Sequence, residues 1–184
     1  MNEVLLDNLI QRISSGDRSA LGELYNITSN DVYGYALSIV CSKSMAEDIM
    51  HDVYIQIFNS AKTYKSQGKA MAWILRITRN MSYNRLKKMK HESMSIDQPF
   101  DNEAYQAFDD NAVLDRLILD NLLTKLSIGE RQVVMLYLLS GISQKDISNI
   151  TGVPLPTVKW RYKSALKKLS KTINSDIAGC CYEL

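Results

Sequence analysis

Apolar residues recur along this chain at helical spacing, and strand-like alternation is scarce. In "GVPLPTVKWRYKSALKKL", residues 152–169, a helix starting near Leu155 places Val158, Tyr162, Ala165, Leu166 and Leu169 on one stripe. Pro154 and Pro156 are tolerable at its start, because first-turn amides have no intrahelical acceptor. Trp160, Lys163, Ser164, Lys167 and Lys171 fall on the opposite face, so a tryptophan stands among cations. That face reads either as a solvated lysine surface with a stray aromatic or as one that meets nucleic acid.

The preceding segments sharpen the choice. "SIGERQVVMLYLLSG", 127–141, reads as a helix with a Ser127/Glu130 capping box and Gly141 as its stop. "SQKDISNITG", 143–152, reads as a short helix capped by Ser143, with Ile147 and Ile150 inside. A turn at Gly152 leads into the basic helix. Helix, short helix, tight turn and basic helix outline a helix-turn-helix.

The first half is also helical. "VLLDNLIQRI" is amphipathic, Asp17 restarts the chain as an N-cap, and "DVYGYALSIV" continues as an apolar helix. "SKSMAEDIMHDVYIQIFNSA" is expected to open on a second capping box, Ser44 with Glu47. Its inner stripe includes Ile49, Val53 and Ile57, while Asp48, Asp52 and Gln56 share another face. Residues 62–69 form a loop by composition. Residues 70–90 form a long helix with Trp73, Ile74, Ile77 and Met81 facing one way. On another face Arg76, Asn80, Tyr83 and Lys87 recur, with Arg79 beside them. Cations there suit phosphates and the ring suits a base, although Tyr83 also fits a solvated tyrosine. Trp73 falls on the core side.

Charge changes the picture more than composition does. The net charge of +2 conceals segregation: residues 53–91 carry nine basic and no acidic side chains. Residues 92–120 carry one basic and eight acidic. From Ile147 to Ser175 there are six basic and no acidic. Two basic blocks around an acidic one suggest two surfaces for a polyanion, joined by a linker. Residues 92–111 lack a clear period and read as a flexible acidic linker.

Other classes find little support. The first ten residues have no basic leader, so no secretory signal is expected, and the longest apolar run, 133–139, is too short for membrane insertion. Cys41, Cys180 and Cys181 have no metal spacing and suit reduced thiols in the cytoplasm. "CYEL" is a poor prenylation box. No phosphate loop, catalytic triad or metal cluster is visible, and His51 and His91 read as surface residues. No catalytic residue, metal site or cofactor is expected.

On these residues the chain resembles the sigma-70 family of bacterial RNA polymerase initiation factors. "AEDIMHDVYIQIF" is similar to the polymerase-clamp helix of region 2, and "AWILRITRNMSYNRLKK" to its −10 recognition helix. "LSIGERQVVMLYLLSGISQKDISNITGVPLPTVKWRYKSALKKL" is similar to the −35-reading helix-turn-helix of region 4. With no recognisable regions 1.1 or 3, the likeness is to the two-domain ECF (extracytoplasmic function) subgroup. It implies an all-α fold: region 2 over 1–91, linker over 92–111, region 4 over 112–175 and a tail over 176–184.

The resemblance also assigns roles. Asp48, Asp52 and Gln56 would bind core polymerase. Tyr64, Arg76, Asn80, Tyr83, Asn84 and Lys87 would meet −10 DNA, with Tyr64 opening a loop that captures a flipped base. Lys159, Trp160, Arg161, Lys163, Ser164 and Lys167 would meet −35 DNA. The linker would run near the RNA exit path. Trp160, often a small Ser in the family, and Pro156, often Gly, are departures that bear on promoter sequence. The partners implied are core RNA polymerase and promoter DNA, and the resemblance leaves room for an anti-sigma factor. The rival readings are a helix-turn-helix regulator that never engages polymerase and a sigma-like decoy that binds without initiating.

Overall fold

The computed structural model describes residues 2–93, 125–138 and 140–180, and among these no strand occurs. Four helices form the first half: α1 (Glu3–Ser14), α2 (Arg18–Val40), α3 (Lys43–Ser60) and α4 (Ala70–Ser93). A short 3₁₀ turn, Ala61–Thr63, follows α3. The second half contains α5 (Ile128–Leu138), α6 (Gln144–Thr151) and α7 (Leu155–Cys180).

Local chemistry sets most boundaries. Asn2 caps α1, and Asp17 caps α2 by accepting from the Ser19 and Ala20 amides. The α3 cap is Ser42, which accepts from Met45 N, so the helix begins two residues before the expected Ser44 box. Ser127 and Glu130 form the expected reciprocal box, Ser127 N donating to Glu130 Oε2 at 2.9 Å. Ser143 caps α6, and Gly152 ends it at φ 68°, where a residue without Cβ avoids strain.

Helix α2 is the centre of the first half, packing on α1, α3 and α4. Leu24, Val32, Tyr35, Ala36 and Ile39 are buried along it, against Leu6, Leu9 and Ile10 of α1 and Ile49, Val53 and Ile57 of α3. Thr28 Oγ1 is satisfied by the Leu24 carbonyl and by Tyr54 OH at 2.7 Å. The inner side of α4 is Met71, Ile74, Leu75, Thr78 and Ser82, whereas Trp73, Ile77 and Met81 lie half-buried beside it. Two hydroxyls enter this core because each donates back to a carbonyl one turn earlier, Thr78 to Ile74 at 3.0 Å and Ser82 to Thr78 at 2.8 Å.

The helix-turn-helix packs directly onto the first half. Helix α5 lies on α2, and α6 on α4. Val133, Leu136, Ile142, Ile147, Ile150 and Val158 join the same apolar core as the first-half residues. Polar contacts follow the seam: Lys69 Nζ meets Asp146 Oδ1 at 2.6 Å, Arg76 donates to the Asn149 carbonyl at 3.1 Å, and Gln132 Nε2 donates to Tyr83 OH at 2.8 Å. Asp31 also bonds to Ser140, and burial nevertheless holds its carboxyl above the ordinary range.

The expected linker lies outside the described residues from 94 onward; α4 itself runs to Ser93. The expected region 4 likewise falls outside them up to 124. Helix α7 continues to Cys180, into the segment expected as a tail.

Candidate nucleic-acid interface

Helix α7 turns its two faces as its phase demands. Val158 and Ala165 are fully buried, and Tyr162 is half-buried with its ring 4.8 Å from that of Tyr137. Trp160 is 65% exposed, which removes it from the core. Lys159, Lys163 and Lys167 are exposed around it. Leu166, expected inside, is 41% exposed. It is eight residues after Val158, which at 3.6 residues per turn puts it about 80° round the helix.

Two of the expected −35 residues turn toward α5. Ser164 Oγ donates to Glu130 Oε1 at 2.7 Å. The Arg161 guanidinium covers Gly129, so closely that a Cβ there would stand 2.8 Å from Arg161 Cζ. Glu130, 2% exposed, is the tie between the helices: it also accepts from Lys168 Nζ at 2.7 Å. Burial would raise its pKa, but the Lys168, Ser164 and Ser127 donors outweigh burial and bring it down to about 2. Local spacing assigns Glu130 only a capping role. Its bonds to Lys168 and Ser164 come from 38 and 34 residues away and leave no local signal.

The face of α4 expected to meet −10 DNA is partly engaged from within the chain. Asn80, Asn84 and Lys87 are exposed. Arg76 and Tyr83 bond to Asn149 and Gln132, and the Arg79 guanidinium stacks over the Tyr83 ring at 4.9 Å. Tyr64 lies at the start of the 64–69 loop, its ring 4.8 Å from Trp73 and its hydroxyl bonded to Asp7. Between this loop, α4 and α6 is an open groove of about 400 Å³, with Lys65, Lys69 and Arg76 on its walls.

The third surface is acidic. Asp48, Asp52 and Gln56 are exposed in a row on α3, and Ile55 beside them is 60% exposed. Asp48 faces Arg85 of α4 at 3.8 Å. Among the described residues no group of three or more His, Cys, Asp or Glu could hold a metal ion, and no helix is long and apolar enough to cross a membrane.

An all-helical pair of units, one ending in an exposed basic third helix, defines a helix-turn-helix DNA-binding protein with a separate acidic row on α3. Comparison with known proteins makes this specific. Residues 24–92 match sigma-70 region 2 and residues 116–169 match sigma-70 region 4. Together these span more than half of the chain, which therefore belongs to the sigma-70 family, in the two-region form of its ECF subgroup. It is similar to the ECF RNA polymerase sigma factor SigK of Mycobacterium bovis (strain BCG / Pasteur 1173P2), 24% identical over 178 residues, covering 92% of this chain and 94% of that protein. SigK of Mycobacterium sp. (strain KMS) is 25% identical over 179 residues, with 91% and 90% covered. Two solved structures share the fold. The sigma factor RpoE of Bartonella quintana, in complex with the anti-sigma factor NepR, aligns at a TM-score of 0.75 and 22% identity, covering 84% of this chain and 97% of that one. CnrH, in complex with the cytosolic domain of CnrY, aligns at 0.70 and 21%, covering 94% and 99%. As a sigma factor the protein acts in transcription initiation and is not an enzyme in the ordinary sense.

Proposed function

We propose that this protein docks on core RNA polymerase through the acidic row of α3, reads −35 duplex with α7 and engages −10 DNA with α4 and the 64–69 loop. The observation that carries this reading is the exposure of Trp160 between Lys159 and Lys163, on the third helix of a helix-turn-helix whose other face is buried. The cations would neutralise phosphates or reach guanine acceptors, and the indole would lie against a thymine methyl or the sugar edge. Arg161 and Ser164, already held by α5, would contribute less directly. On α4, Arg76 and Tyr83 are occupied by Asn149 and Gln132, so −10 contact requires α5 and α6 to move off that face. The solved relative bound to NepR supports an anti-sigma factor as a further partner.

The test is promoter opening. Core polymerase with this protein should render a selected duplex promoter reactive to permanganate at its −10 element, and neither component alone should. A plain regulator would bind the duplex without binding core; a decoy would bind core without opening DNA.

Trp160→Ser separates the two faces of α7. Stability should change by no more than about 0.5 kcal/mol, because the indole is exposed. The preferred −35 bases should change, at about 1–3 kcal/mol for each base that the shorter side chain no longer reaches. Thermal unfolding and DNA selection read the two effects. A large fall in melting temperature with unchanged selectivity would make Trp160 a packing residue.

A further inference from the structure

Lys65, Ser66, Gln67, Gly68 and Lys69 are all exposed, so the 64–69 loop has little packing of its own. Besides the Tyr64 ring on Trp73 and the Lys69–Asp146 pair, its order comes from α1. Asp7, only 8% exposed, receives three donors from the loop: Tyr64 OH on Oδ1, then Ser66 Oγ at 2.6 Å and the Gly68 amide at 3.0 Å on Oδ2. Gly68 is at φ +66°, a left-handed turn that aims its amide at the carboxylate. One turn earlier on α1, Glu3 accepts from Met71 N at 3.2 Å, in the first turn of α4 where amides lack helical partners. Helix α1 thus grips the loop and the helix it leads into.

The chemistry at this point asks for a carboxylate. Three donors converge, and an ionised Asp offers two acceptor oxygens and no donor of its own. An amide of the same size would turn an NH₂ toward one of those donors. Burial raises the Asp7 pKa, but the bonds from Ser66, Tyr64 and Gly68 more than compensate, and the group is held below its ordinary value.

We infer that Asp7 is a positioning residue for promoter opening, holding the 64–69 loop in its groove-forming shape before DNA arrives. Once α6 has moved off α4, a base turned out of the duplex meets a loop that is already ordered, and the entropy of ordering the loop does not oppose its capture. The groove walls include Tyr64, Lys65, Gln67 and Arg76, two of them cationic. Asp7 itself stands behind the loop and touches no DNA. The inference rests on the proposed role of this loop in holding the opened strand.

The test uses full-length Asp7→Asn with core polymerase, on a promoter selected by the wild type and on versions with each −10 base replaced in turn. Permanganate reactivity measures opening, and hydrogen exchange of the free protein measures loop order. Wild type should discriminate sharply at one position. Asp7→Asn should lose about tenfold of that discrimination, the scale of one charge-assisted hydrogen bond. The Gly68 amide should lose protection while α2 and α3 keep theirs, and affinities for core polymerase and −35 duplex should stay within about twofold. Tyr64→Phe removes one of the three donors and should give a partial loss. The double variant should be no worse than Asp7→Asn, because both act through one bond. Unchanged base discrimination in Asp7→Asn overturns the inference. So does a uniform loss at every base accompanied by a lower melting temperature, which would give Asp7 a role in the fold alone. Failure of the wild type to open any promoter would overturn the initiation reading and this inference with it, whereas wild-type opening with unaltered Asp7→Asn discrimination overturns the inference alone.

Discussion

Asp48→Lys/Asp52→Lys is expected to lose at least about 100-fold in affinity for core RNA polymerase while folding normally. Both carboxylates are exposed on one face of α3, and a basic clamp surface is their proposed partner. Replacing attraction by like-charge repulsion costs several kcal/mol at an interface, and each 1.4 kcal/mol is about tenfold in affinity. The fold should tolerate the change. The Asp48–Arg85 pair is 3.8 Å apart between side chains that are 61% and 46% exposed, and such pairs contribute about 0–1 kcal/mol. Binding to core enzyme, beside circular dichroism of the free protein, reads both halves of the expectation. Affinity within about twofold of wild type would move the docking surface elsewhere.

Glu130→Ala should destabilise the protein, whose two halves share one core, by about 2 kcal/mol, a fall of about 4–8 °C in its melting temperature. The full shift of the Glu130 carboxyl from 4.5 to about 2 sets an upper bound near 3 kcal/mol. Discounting is warranted because Lys168, its cationic partner, is 47% exposed. The pH dependence follows from the direction of the shift. The folded pKa lies below the unfolded one, so the stabilisation is complete above about pH 4.5 and is lost as pH falls toward 2. Wild type should therefore weaken across that window more steeply than Glu130→Ala, and the two stability curves should converge at its acid end. Parallel curves would mean that the carboxylate makes no net contribution.

The helices are legible in the sequence because helical phase governs burial directly. Val158 and Ala165 inside with Trp160 outside follow from the spacing of α7 alone. Caps are legible where one residue dominates, as at Asp17 and Ser143, and ambiguous where Ser42 and Ser44 compete within two positions. The inner stripe of α4 differs from the apolar pattern because hydroxyls read as outward-facing. Thr78 and Ser82 enter the core once their donors are satisfied by their own backbone, which an apolar pattern does not register. The acidic row and the exposed lysines are readable as charge periodicity. The bonds that shape the sites are not. Asp7 reaches Tyr64, Ser66 and Gly68 across 57 to 61 residues, and Tyr83 meets Gln132 across 49. Pairings of that separation are set by tertiary packing, so no local spacing announces them. Nor does the sequence say that Arg76 and Tyr83, read as DNA-binding residues, are held by the helix-turn-helix in this arrangement.

Run-off transcription tests the central claim most directly. Core polymerase free of other sigma factors, a duplex template selected by this protein with core, and nucleoside triphosphates are the only components required. The account predicts a transcript of defined start site that depends on this protein and is abolished by Asp48→Lys/Asp52→Lys. Tight binding to both core enzyme and duplex, with no protein-dependent transcript from any selected template, would contradict it.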